Sequence, residues 1–540
     1  MVFILRSFVK SRVALSLGTV RVTITAVALI HLAGTVDAQP VVNTPLGKLH
    51  GTIRSGIDRF LGIPFAQAPI GYLRWRAPVP VKSWKGIREA TVAAPACYQP
   101  AAKPFGPYTS EFLIGPDISE DCLYLNVWKP AHVHARVPVL FFIHGGGFGS
   151  GSGSIPIYDG SSLARHGVVV VTINYRLGVF GFLATPELTR ESGKGTSGNF
   201  GLLDQIAALQ WVKNNIAAFG GDPHHITIAG QSAGAASVSD LIASPMARGL
   251  FQRAIAESGS GMGIEMPTLG EAESVGQNLL ARAGVNSAAQ LRALSPEAVL
   301  NAAASLTPPK PGAMPTIIFV PNRDGVVISG DPEDGAAPIQ SPVPFITGFN
   351  ADEGMPPPRM NVASAFEMMV HARYGSSADR MLALYPHGND KEASESWATL
   401  ARDRYMASLT IWAQERAKSS RQPVYTYLFT HPYPGRGWDG TPSAFHTAEV
   451  PYVFGTVDRS GSHLTQADRA VESRMQSVWI TFVLSGKPIV PHQNWPVAGR
   501  ESTNVMTLGQ TARMQPAVSN KERFEALRAY AAAGGKLSLF

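Results

Sequence analysis

Short apolar runs bounded by turn residues alternate along this chain with stretches whose apolar positions recur every three to four residues. Val137–His144 (VPVLFFIH), Gly167–Asn174 (GVVVVTIN), Ile226–Gly230 (ITIAG), Val343–Phe349 (VPFITGF) and Pro423–Thr430 (PVYTYLFT) are nearly continuous in β-branched and other apolar residues. Runs of that length and composition read as strands buried on both faces. Between them, Gly201–Phe219 carries Leu202, Leu203, Ile206, Leu209, Val212 and Ile216 on a helical period, and Gly220-Gly221-Asp222-Pro223 ends it. Buried strands alternating with helices predict the α/β class: a large, mostly parallel central sheet with helices on both faces and long insertions.

One strand of this pattern runs into "IAGQSAGAAS". Ser232 lies between Gly230 and Gly234, and "AASVSDLIAS" beyond it continues as a helix. A glycine-flanked serine alone is a weak signal; a strand entering it and a helix leaving it make Ser232 a candidate nucleophile. A serine hydroxyl needs a base, a group that orients the base, and donors for the developing oxyanion. Upstream, the strand Val137–His144 ends in Gly145-Gly146-Gly147, where bare backbone N–H groups could approach a carbonyl. No Lys-Ser or Lys-Thr follows these glycines, which excludes a phosphate loop of the Walker type. Downstream, the strand at Val343–Phe349 ends beside two acids, Asp352 and Glu353. Of the later histidines, His431 and His446 both follow a late strand. Spacing alone does not choose within either pair.

Composition narrows the class further. The 540 residues are 45% hydrophobic and 16% charged, as expected of a chain with a large core; length alone suggests three or four domains. Arg6, Lys10, Arg12 and Arg21 precede or begin an apolar stretch, Val22–Val36, and Val36-Asp37-Ala38 offers a small-x-small cleavage site. Residues 1–38 therefore read as a signal peptide, too short in its apolar part to span a bilayer comfortably, and the remainder as secreted or periplasmic. Its removal takes away those four basic residues and Asp37, lowering the net charge from +7 to +4. No run of lysine and arginine appears, so neither nucleic acid nor an anionic membrane is expected as a partner. In an oxidising compartment the two cysteines, Cys97 and Cys122, are expected to pair.

"HGGGF", "GQSAG", "NADEG" and "FHTAEVPYVFG", in that order, resemble the type-B carboxylesterase/lipase family of the α/β-hydrolase fold, which includes bacterial esterases and cholinesterases. The resemblance extends through "FLGIPFAQAPIGYLRW" (60–75), "SEDCLYLNVW" (119–128), "NYRLGVFGFL", "GNFGLLDQ", "FGGDPHHITIAGQSAG" and "SGKPIVPHQNWP". It covers essentially all of 39–540, implying a single hydrolase domain. It also implies a triad of Ser232, Glu353 rather than Asp352, and His446 rather than His431. The oxyanion donors it implies are the backbone N–H groups of Gly146, Gly147 and Ala233. It further implies a Cys97–Cys122 disulfide and buried ion pairs Arg74–Glu120 and Arg176–Asp204.

Two departures bear on substrate. Gln231 stands before the serine where many relatives carry glutamate, removing a negative charge from the site. The stretch from Cys97 to Cys122 has Tyr98, Phe105, Tyr108 and Phe112 but no tryptophan, unlike cholinesterases, which use one there for a quaternary ammonium. The expectation is a serine carboxylic-ester hydrolase acting on a small-molecule ester through an acyl-enzyme, with no metal or organic cofactor. Lipase, thioesterase and amidase chemistry are alternatives on the same triad, and a non-catalytic binding relative is the rival outside enzymes.

Overall fold

The near-continuous apolar runs form the middle of an eleven-stranded sheet in the computed structural model, which describes residues 39–132, 135–259, 266–308, 317–332, 340–354 and 356–537. The signal-peptide expectation for 1–38 lies outside the described residues. In chain order the sheet strands are β1 (Thr52–Arg54), β2 (Ile57–Pro64), β3 (Tyr124–Pro130), β4 (Val137–Ile143), β5 (Val169–Ile173) and β6 (Gly221–Gln231). The remainder are β7 (Arg253–Glu257), β8 (Phe345–Asn350), β9 (Val424–Phe429), β10 (Asn504–Leu508) and β11 (Ala512–Pro516). They lie side by side in the order β11-β10-β9-β8-β7-β6-β4-β5-β3-β2-β1. The strands from β10 to β5 are parallel neighbours, whereas β11 and the β1–β3 edge pair antiparallel. The sheet is therefore mostly parallel, as the pattern predicts.

Burial on both faces explains why alternation is missing from the central runs. Val139, Phe141 and Ile143 of β4 pack on one side with Leu209 and Val212 of helix α1 (Phe200–Asn215). Leu140 and Phe142 point to the other side, joining a cluster that contains Val478, Trp479 and Phe482. Between β4 and β6 the connections reverse direction, since β5 lies on one flank of β4 and β6 on the other. Open α/β sheets bind ligands at such a reversal, beyond the carboxyl ends of the strands. Gly145 follows β4 there and Ser232 follows β6.

The two cysteines are disulfide-bonded. Arg74 meets Glu120 through Nε and Nη2 at 2.6 and 2.5 Å, and Arg176 meets Asp204 at 2.8 and 2.7 Å, all four residues largely buried. Both forks are bidentate, the geometry that best offsets the desolvation of a guanidinium and a carboxylate. Among the described residues, no helix is long and apolar enough to cross a membrane.

Candidate active site

Ser232 is the junction between β6 and helix α2 (Ala233–Ala243), with φ 58° and ψ −123°. Few non-glycine residues adopt that conformation, and it persists only where the surroundings impose it. The flanking glycines supply the space. A Cβ on Gly230 would lie 2.3 Å from the Gly234 carbonyl oxygen, and one on Gly234 only 2.0 Å from that of Ile143. The serine N–H is anchored to the Glu257 carbonyl at 2.8 Å, and its own carbonyl accepts from Ala236 at 3.0 Å. The turn is thus held by β7 on one side and by α2 on the other.

The glycine run abuts this turn. A Cβ on Gly145 would meet the Gln231 carbonyl at 2.7 Å and the Ser232 Cβ at 3.0 Å. Gly146 and Gly147 follow with φ of 113° and 61°, a backbone path closed to most side chains. Ala233 opens α2, so its N–H lies at the positive end of the helix dipole.

Glu353 and His446 come together from two loops stitched to each other. After β8, the Asn350 side chain donates to the Phe445 carbonyl at 2.8 Å, and Asp352 N–H donates to the Ala444 carbonyl at 3.0 Å. The Asp352 carboxylate takes the Ala444 N–H at 3.0 Å and Arg402 at 3.1 Å, so it ties down the loop carrying the histidine. Glu353 turns inward: one oxygen contacts His446 Nδ1, and the other accepts Asn350 N–H at 2.7 Å and the Ser258 hydroxyl at 2.5 Å. Its side chain is wholly buried, while that of His446 is 15% exposed. His431 is occupied elsewhere, bonded through Nε2 to Asp468 at 2.8 Å.

The Gln231 side-chain nitrogen lies 3.2 Å from His446 Nε2. An amide nitrogen can only donate, so Nε2 accepts, which leaves Nδ1 as the protonated nitrogen facing Glu353. Burial by itself would depress the imidazole; the Glu353 carboxylate more than offsets that and leaves His446 above its ordinary value.

Two contributors escaped the sequence reading, and a third, Tyr108, was read only as one of the loop aromatics. Tyr108, from the disulfide loop, donates its hydroxyl to the His446 carbonyl at 2.9 Å. Ser258 sits at φ 59° just past β7, with nothing in its local sequence to mark it. Trp438 packs against both Phe105 and Tyr108 with ring centroids 6.2 Å away, restoring a tryptophan beside a loop that lacks its own. Gly106 makes room for it, since a Cβ there would lie within the indole ring contact distance at Trp438. Phe349 is core, packed on Tyr405, and Phe148 packs against Phe182. Among the described residues, no cluster of histidine, cysteine, aspartate and glutamate is arranged to hold a metal.

The carboxylesterase family model matches residues 38–526. Fumonisin B1 esterase of Sphingopyxis macrogoltabida is 36% identical over 502 residues, covering 90% of this chain and 89% of that protein. Para-nitrobenzyl esterase of Bacillus subtilis (strain 168) is 35% identical, covering 87% and 94% respectively. A solved structure of a PNB esterase superposes with a TM-score of 0.75 at 33% identity, over 91% of this chain and 100% of that one. The chain belongs to the carboxylesterase family and is a carboxylic ester hydrolase of the α/β-hydrolase fold.

Proposed function

We propose that this carboxylesterase acts through Ser232 as nucleophile, His446 as general base and acid, and Glu353 as the group that orients and charges the imidazole. The observation that carries the reading is the placement of His446. Its Nδ1 meets a buried carboxylate, and its Nε2 lies 3.2 Å from the side chain of Gln231, the residue before Ser232. In the forward step Nε2 takes the hydroxyl proton as the serine oxygen attacks the ester carbonyl. The oxyanion accepts the N–H groups of Gly146, Gly147 and Ala233, and Glu353 stabilises the imidazolium. The imidazolium then returns its proton to the departing alcohol, leaving an acyl-serine. Water, activated by the same nitrogen, attacks the acyl carbonyl and the acid leaves. No step calls for a metal or organic cofactor.

Because His446 protonates the leaving group, the alcohol part of the ester lies on the His446 side. Tyr108 bonds the His446 carbonyl, and Phe105 and Trp438 pack on Tyr108; aromatic surface beside the His446 loop would favour apolar or aromatic alcohols. Printed names among the relatives, a fumonisin B1 esterase and a para-nitrobenzyl esterase, fit small-molecule esters as the substrate class. Export through residues 1–38 and residence in the periplasm or medium belong to the same proposal, supported by the signal-like N-terminus and the disulfide.

The test is turnover of a chain-length series of p-nitrophenyl esters by the enzyme lacking residues 1–38, beside Ser232→Ala. Activity lost in Ser232→Ala supports the assignment; activity retained there overturns it.

A further inference from the structure

The backbone just after the candidate base is strained. Thr447 has φ 86°, in the left-handed region, and it is both β-branched and buried. Such a residue is an outlier at that angle and stays there only where its surroundings hold it. The planar peptide between His446 and Thr447 turns with that φ, so relaxing Thr447 would swing the His446 carbonyl and shift the Cα that carries the imidazole. The carbonyls on either side are tied within the loop: that of Phe445 accepts Ala448 N–H at 2.9 Å, and that of Thr447 accepts Val450 N–H at 3.1 Å. The His446 carbonyl is held from 338 residues away, by the Tyr108 hydroxyl at 2.9 Å.

The disulfide loop is shaped to deliver that hydroxyl. Phe105-Gly106-Pro107-Tyr108 is a tight turn in which Phe105 and Tyr108 exchange backbone hydrogen bonds at 3.3 and 3.0 Å, with Gly106 at φ 49°. The Tyr108 ring stands edge-on to Phe112 and Phe445, at centroid distances of 5.9 and 5.7 Å. Phe445 precedes His446, so one tyrosine grips the side chain before the base and the carbonyl of the base itself. Burial pushes the Tyr108 phenol above its ordinary value, more than a hydrogen bond with the Thr447 side chain pulls it back. The hydroxyl therefore stays protonated and keeps donating.

We propose that the Tyr108 hydroxyl is a positioning group for ester hydrolysis: it pins the strained 446–447 peptide and so keeps the imidazole between Glu353 and Gln231. The base then has three holds, Glu353 at Nδ1, Gln231 at Nε2 and Tyr108 on its carbonyl. Tyr108 acts through His446 rather than on the ester. The inference rests on His446 being the base, as proposed above.

Tyr108→Phe tests it, because it deletes the hydroxyl and keeps the ring. Per active site titrated with a serine-directed phosphonate, kcat for p-nitrophenyl butyrate should fall about three- to tenfold, the worth of one hydrogen bond, with KM within about twofold. Glycine takes φ 86° without strain, so in a Thr447→Gly background the same change should cost about twofold or less. A Tyr108→Phe enzyme with wild-type kcat overturns the proposal, as does one whose only change is a raised KM or a lowered thermal midpoint. An equal loss in both backgrounds overturns it too, since the hydroxyl then does something other than hold strain. Should Thr447→Gly fail to fold, the low-field proton resonance of His446 Nδ1–H decides on Tyr108→Phe alone: it should shift or weaken, and an unchanged resonance refutes the inference. Ser232→Ala keeps the two readings apart. Turnover surviving there sinks the triad assignment; turnover lost there with Tyr108→Phe unaffected sinks only the role given to Tyr108.

Discussion

The contact between Gln231 and His446 makes the residue before the nucleophile a lever on the base. In the free enzyme the Gln231 amide donates to Nε2 at 3.2 Å, which stabilises the neutral imidazole. Once Nε2 carries a proton, two donors face each other, and the glutamine disfavours the imidazolium. Gln231→Glu reverses the sign by placing a carboxylate where the amide stands. An opposite charge within about 4–6 Å moves a pKa by roughly 1–3 units. The bare attraction at 3.2 Å is about 5 kcal/mol at an effective dielectric of about 20. Position 231 is only 2% exposed, so desolvation of the new carboxylate cancels part of this. A net rise of about 1–2 units, about 1.4–2.7 kcal/mol, is expected for His446. The assay is kcat/KM for p-nitrophenyl butyrate across about pH 5–9. The acidic limb should move up by that amount, costing Gln231→Glu about tenfold or more below the limb and nothing above it. The same variant should gain on a choline ester relative to its neutral isostere, because a cation now meets a negative charge. A folded Gln231→Glu enzyme whose acidic limb stays in place would refute the reasoning.

Three further outcomes are expected. Ser258→Ala removes a hydroxyl that donates to the Glu353 carboxylate at 2.5 Å; losing a hydrogen bond to a charged group costs about 1.5–3 kcal/mol, so kcat should fall about tenfold with KM little changed. Steady-state kinetics distinguish this from a loss of substrate affinity, which would raise KM instead. Gly234→Ala forces a Cβ to within 2.0 Å of the Ile143 carbonyl, so the thermal midpoint should drop or soluble protein should be lost, whereas Ala235→Gly on the same helix should be mild. Replacing Cys97 and Cys122 together by alanine releases a loop with a sequence separation of 25, and denaturant titration should find the folded state weaker by about 3 kcal/mol with the esterase site still formed.

What the sequence reveals about this enzyme depends on how each residue's role is written in its neighbours. The central strands were legible because burial on both faces leaves continuous apolar runs, and the ends of β4, β6, β8 and β9 carry the glycines, Ser232, Glu353 and the loop to His446. The sheet's edges were not: β10 and β11 are short and mixed in polarity, and β7 reads Arg-Ala-Ile-Ala-Glu, with charges at both ends. Spacing could not separate Asp352 from Glu353, since both follow the same strand; the separation comes from a tertiary stitch in which Asp352 holds Ala444 N–H and Arg402. His431 was equally plausible until Asp468, far along the chain, occupied it. Trp438 and Tyr108 meet across more than three hundred residues, so neither could signal the other. Glu257 carries the same lesson in a sharper form. A charged residue ending a strand looks like a strand terminus facing solvent, yet this one is buried beneath the candidate triad. Local rules fail where a chain tolerates an unfavourable group for another purpose.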